Sequence, residues 1–306
     1  MSDTLTITVP EETTSTFVVT TDQPAGDMPL PSRGLAEPFT GEAAERLGTS
    51  QLSIRTFAAP DSPWDVSRSL YVCEEDDPPR TLDAVREATH HIGVTATVPV
   101  HDRPFGIQLA RAVARAIADT VAGIPVDLDT GQVLPFLNAT EPPRFLLADE
   151  WLGAWLPSYR DAAECTATGD DCTCVELTTR GMSRFGLPDL RMSGVACPYD
   201  LAALNVLRTT AQRLLPLGGI PGPHALPRQI TLTSGDFAAY WGTGEPMWSE
   251  GPIPIGLTAI HRNLLRVGPP ADWPGTQNEW LWDEIPPVLC DLLSYDTEDL
   301  SLAPIP

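Results

Sequence analysis

Lysine is missing from all 306 residues; every one of the 19 basic side chains is arginine. That absence excludes chemistry that needs a titratable amine: a phosphate-loop lysine, a Schiff-base lysine or a kinase-type lysine. GC-rich coding, which favours arginine codons, explains the bias more simply than escape from lysine-directed tagging or acetylation. Basic charge of any kind is scarce, and 41 acidic residues leave a formal net charge of −22. Such a chain repels phosphate backbones, and it has no arginine stripe with interleaved aromatics, so nucleic acid is not an expected partner. Nor does any apolar run reach the length that spans a bilayer, which argues against a membrane partner. The opening Met1-Ser2-Asp3-Thr4 lacks the basic and apolar regions of an export signal, so the expected location is cytoplasmic. Disulfides are then not expected among the six cysteines, Cys73, Cys165, Cys172, Cys174, Cys197 and Cys290.

What is present indicates a real core. Hydrophobic residues make up 42 % of the chain, and 32 prolines predict irregular connections between short elements. The fold class expected is mixed α/β, a central mixed sheet with a few packed helices and a β-rich N-terminal extension. The expected divisions are 1–80, a polar, β-rich N-terminal extension whose first 50 residues, apart from the elements at 17–19 and 42–47, read as a loosely held arm; 81–267, the mixed α/β main domain; and 268–306, an acidic, Trp-rich C-terminal segment.

The best-patterned stretch, 172–217, reads as strand, turn, strand, helix. Thr173, Val175, Leu177 and Thr179 alternate with Cys174, Glu176 and Thr178, as in a half-buried strand. Gly181 and Gly186 suit a turn, and Leu190 and Met192 continue as a second strand. Leu204, Leu207, Ala211 and Leu214 repeat at helical spacing until Gly218 and Gly219.

Upstream, the pattern predicts strands around 17–19, 52–57 and 70–73, a turn of helix at 42–47, and an acidic loop at 74–79. A short helix over 82–88 and a strand over 91–100 follow. Pro104 opens a helix with the apolar stripe Ala110, Val113, Ala114, Ile117 and Val121, and with Gln108, Arg111, Arg115 and Asp119 on its other face. A brief strand follows at 125–128, another is expected at 151–159, and 161–171 reads as a hairpin loop. Downstream, 216–227 reads as a Pro/Gly linker, 230–233 as a strand, and 235–240 as a helix capped by Ser234. A last strand is expected at 253–260, and a closing helix near Val288, Leu289, Leu292 and Leu293.

Four stretches resemble a family of uncharacterised proteins from high-GC bacteria. They are Ala88-Thr89-His90-His91, Arg111-Ala112-Val113-Ala114-Arg115-Ala116, Pro125-Val126-Asp127-Leu128-Asp129-Thr130 with Val133-Leu134, and the block from Thr179 to Leu190. The family's block reads Thr-x-Gly-Leu/Met-x-x-Phe-Gly-x-Pro-Asp/Glu-Leu, and every position matches. The resemblance spans about 80–215 and implies a fold but no activity. The cysteine-bearing hairpin departs from it, and the first 80 residues lie outside it.

Candidate sites are few. Cys165, Cys172, Cys174 and Cys197 are numerous enough to ligate zinc, but their spacing is not that of a zinc knuckle, and ordinary buried thiols are the simpler reading. Cys197, ahead of Pro198 at a helix start, is a candidate nucleophile because orphan N–H groups there favour a thiolate; a cap cysteine is the plainer alternative. His91, Asp127 and Asp129 form a second candidate if the strands that carry them aim all three at one sheet end. Trp273, Trp280, Trp282, Asp283 and Glu284 either anchor a protein partner or lid the core. No cofactor fingerprint and no complete catalytic constellation is legible. The favoured expectation is therefore a non-catalytic interaction or regulatory protein. The alternatives are a hydrolase-like enzyme using Cys197 or His91/Asp127, or a homo-oligomeric structural protein.

Overall fold

The computed structural model describes residues 3–24, 30–31, 34–70, 79–134, 141–156, 172–249 and 251–290. In chain order the elements are β1 (Thr4–Val9), β2 (Glu12–Thr21), α1 (Phe39–Arg46), β3 (Ser53–Ala58), α2 (Val66–Ser69), α3 (Pro79–Glu87), β4 (His90–Pro99), α4 (Phe105–Val121), β5 (Ile124–Asp127) and β6 (Gln132–Val133). Then follow β7 (Val175–Thr178), β8 (Asp189–Val195), α5 (Asp200–Leu214), β9 (Gly222–Pro227), β10 (Gln229–Leu232), α6 (Ser234–Trp241), β11 (Ile253–His261), β12 (Leu264–Gly268) and α7 (Gln277–Asp283). The fold is mixed α+β.

Two five-stranded sheets organise the described chain. The first runs β3-β4-β2-β5-β6 and is antiparallel throughout. Its central strand, β2, is rich in β-branched residues, and Phe17, Val18 and Val19 are all buried, as a strand covered on both faces requires. The second sheet runs β10-β11-β12-β8-β7, with β12 and β8 as its parallel pair. A two-stranded sheet, β1-β9, ties the N-terminal strand to the segment feeding β10.

Helix α4 packs on β2 and β4, while α5 packs on β7, β8, β10 and α6. One contiguous apolar cluster joins both layers, from Phe17, Val94 and Ile117 through Phe185 to Leu207 and Ile255. Ala122 in the left-handed region closes α4.

The β-β-α reading of 172–217 stands, with a 3-10 turn at Met182–Phe185 between its strands. Gly181 and Gly186, at φ 104° and 73°, bracket that turn. Four expectations are corrected. The N-terminal segment is not a loose arm, because β1 and β2 pair along their whole lengths. Residues 216–227 include β9 rather than serving only as a linker. Residues 151–156 form no strand, making a single bridge from Gly153 to Arg180. Thr233, not Ser234, caps α6. The predicted strand at 71–73, the hairpin loop at 161–171 and the closing helix beyond residue 290 lie outside the described residues.

Candidate functional site

Three kinds of site emerge from the packing: buried charge clusters, a cavity with one cation, and a group of thiols. Arg184 sits in the 3-10 turn with its side chain fully buried, paired with Asp127 and, at 3.1 Å, with Asp129. Asp127 lies at the end of β5, where its Oδ1 also accepts the amide of Asp129 at 2.9 Å. The Arg184 guanidinium carbon lies 5.6 Å from the Phe17 ring centre and 5.4 Å from that of Trp151. Burial works against its charge, but the two carboxylates outweigh burial and hold its pKa above the usual value. Burial, reinforced by Asp127, raises the Asp129 carboxyl despite Arg184. This is a closed core ion cluster, each member of which has a partner within it.

The register of β2 separates the expected His91–Asp127 pair. Thr20 faces His91 across one ladder and Phe17 faces Asp127 across the other. Positions 17 and 20 differ by an odd number, so the two side chains lie on opposite faces of the sheet. The expectation that His91, Asp127 and Asp129 aim at one sheet end is therefore corrected. His91 is 7 % exposed, and burial, then the neighbouring His90, lowers its pKa toward the neutral ring.

A second buried network was not anticipated. Arg111, predicted on the polar face of α4, is 1 % exposed. It forms a two-pronged bond to Glu141 at 2.9 and 2.7 Å, and its guanidinium carbon lies 3.4 Å from the Trp151 ring centre. Its i+4 neighbour Arg115 pairs with Glu141 and Glu150. No periodicity signals this, because the partners come from an irregular segment.

Beside the 3-10 turn lies a cavity of about 250 Å³ lined by Phe145, Phe185, Gln212, Leu215 and Arg103, among others. Arg103 donates to the carbonyls of Phe185 and Gly218, at 3.2 and 3.0 Å, and to that of Pro10 at 3.2 Å. Glycine is needed around it: a Cβ at Gly186 would stand 2.9 Å from Arg103 Nη1, and one at Gly218 would stand 2.5 Å from the Phe185 carbonyl oxygen. Among the described residues no carboxylate pairs with Arg103, and burial lowers its pKa. The sequence signal was only Pro104, read as a helix start.

The thiols converge at one end of the β7–β8 ladder. Val175 pairs with Val195, so the residues just before β7 and just after β8 meet there. Cys172 is buried, Cys174 is exposed, and Cys197 is half-buried at the start of a 3-10 turn that leads into α5. The sulfur of Cys172 lies 3.1 Å from that of Cys174 and 3.5 Å from that of Cys197. Cys165 and Cys73 lie outside the described residues, and Cys290 is exposed near the end of the described chain.

Of the C-terminal aromatics, Trp280 is fully buried and serves as a core lid, whereas Trp282 is 72 % exposed, its ring centre 6.2 Å from that of Tyr199. Among the described residues no helix is long and apolar enough to cross a membrane. Comparison with family models, curated proteins and solved structures finds no match to this chain, so the resemblance noted above rests on the residues that carry it.

Proposed function

We propose that this chain is a non-catalytic regulatory protein that responds to a small apolar carboxylate bound at the Arg103 cavity. One observation carries the reading. The cavity presents a partly desolvated cation, held among the described residues by backbone carbonyls, in a wall whose side chains are otherwise apolar except for Gln212. Apolar pockets with a few fixed polar groups are the usual form of a small-molecule site, and a cation without a carboxylate partner favours an anion. The described lining includes no Cys, His, Ser, Asp or Glu, so it offers binding without a nucleophile or a general base. At about 250 Å³ it suits a fragment-sized ligand.

Calorimetric titration with hexanoate and benzoate, set against hexanol and benzamide, tests the reading. The carboxylates should bind at least tenfold more tightly than their neutral counterparts. Gln212→Glu, which places a competing carboxylate in the wall while leaving the Arg103 bonds in place, should abolish that preference. Equal affinity for acid and amide, or no binding by either acid, would refute it.

A further inference from the structure

We propose that Cys172, Cys174 and Cys197 form a zinc site, independent of the Arg103 cavity. Their three sulfurs all lie within 4.8 Å of one another. The closest separations, 3.1 and 3.5 Å, exceed the roughly 2.05 Å of a disulfide bond. They fall about 0.7 and 0.3 Å short of the sulfur–sulfur edge of about 3.8 Å that follows from tetrahedral zinc with bonds of about 2.3 Å. A small spreading of the cluster therefore accommodates the ion. The linear spacing concealed this, because Cys197 joins the pair only through the antiparallel β7–β8 ladder.

The backbone around the thiols is held by a buried amide. Asn278, 4 % exposed in α7, donates to the carbonyl of Cys172 at 3.2 Å and accepts the amide of Ala196 at 2.9 Å. One side chain thus fixes both chain segments that present ligands. Its neighbour Gln277 donates to the Ser193 carbonyl at 3.0 Å, extending the clamp into β8. Outer contacts of this kind hold ligands in place and tune metal affinity. Asn278 is a positioning residue in this scheme. Soft thiolates select zinc over the hard cations, and exposed Cys174 supplies the entry path. Three thiols lose three protons as one zinc ion binds, and the fourth donor comes from solvent or from a further side chain.

The test uses full-length protein purified under reducing conditions without chelator. Elemental analysis should give close to one zinc per chain. After chelator stripping with reductant, cobalt(II) titration should produce a thiolate-to-metal charge-transfer band that saturates at one equivalent. Cys174→Ser, at an exposed position that should spare the fold, should weaken cobalt binding at least tenfold and dim the band. Asn278→Leu should weaken binding about 10- to 100-fold while keeping the band's shape, the signature of a positioning residue. Cys290→Ser, outside the cluster, should change neither. The proposal fails if the folded, reduced protein holds less than a tenth of an equivalent of zinc and gives no cobalt band. It also fails if Cys174→Ser binds cobalt as the parent does, or if mass analysis finds two of the three joined as a disulfide in protein isolated without oxidant.

Discussion

Charges removed from water are the most informative residues, because each must be neutralised or pay for desolvation. Arg184 illustrates it: truncation leaves Asp127 and Asp129 facing each other without their cation. Arg184→Met should destabilise by about 3–5 kcal/mol, the usual cost of orphaning a buried partner. Adding Asp127→Asn should recover part of that loss; urea denaturation of the single and double variants measures both. Asp189 differs, since burial pushes its carboxyl up to about 6 against the hydrogen bonds from Met182 and Thr179 that would lower it. A folded-state pKa above the unfolded value stabilises when the proton is bound, and that stabilisation is lost as pH rises through about 6. The corresponding effect is about 3 kcal/mol. Asp189→Asn should therefore flatten the pH dependence and leave the variant increasingly the more stable as pH rises through that range. Urea midpoints at a series of pH values check this, and a variant-to-parent difference independent of pH would refute it. The sequence showed these residues without their partners: Asp127, Asp129 and Arg184 all lie in conspicuous stretches, yet nothing local says that a turn 57 residues beyond Asp127 delivers a cation to two carboxylates.

Elements with a clean period were legible, and those whose pattern conflicts with their composition were not. Helix α5 follows its Leu204–Leu207–Ala211–Leu214 stripe, and Leu207 is fully buried. Leu207→Ala should cost about 2–5 kcal/mol from lost contacts plus the cavity left behind. An unchanged denaturation midpoint would contradict its core role. Strand β1 carries strict alternation, with Leu5, Ile7 and Val9 buried against exposed Thr4, Thr6 and Thr8, but it sits in a polar, Thr-rich context that masks it. Strand β9 contains Pro223 and Pro227, which disqualify a central strand but not one of a two-stranded pair, where outward-facing positions need no amide. Strand β12 follows a two-residue Arg262-Asn263 link from β11, too tight to separate from the strand before it. The three thiols were visible as candidates but not as a group, for a related reason: Cys172 and Cys174 are two residues apart in the chain, whereas Cys197 reaches them through a ladder. Capping also acts at this scale. Thr233 accepts the Asp236 amide at 3.2 Å and Asp236 returns a bond to the Thr233 amide, so Thr233→Ala should cost about 1 kcal/mol, read from the same urea curves.

At the scale of the molecule, charge dominates. The net charge of −22 is met by solvent almost in full, because the buried arginines Arg111 and Arg184 are matched by the equally buried carboxylates Glu141 and Asp127. Like charges at that density repel one another and oppose compaction. Added sodium chloride screens them over about 10 Å at 0.1 M, while the buried pairs are screened far less. The urea midpoint should therefore rise as salt increases from low ionic strength. A falling midpoint would mean that exposed ion pairs outweigh the repulsion. The same field governs partners. Nucleic-acid binding gains most of its affinity from cations that displace counterions from phosphates, and here the exposed cations are few and set among carboxylates. No DNA or RNA complex should be detectable near physiological salt, and lowering the salt should not produce one, since weaker screening strengthens the repulsion between two polyanions. A gel shift that appears at low salt and fades as salt rises would reveal a local basic surface and overturn this reading of the whole molecule.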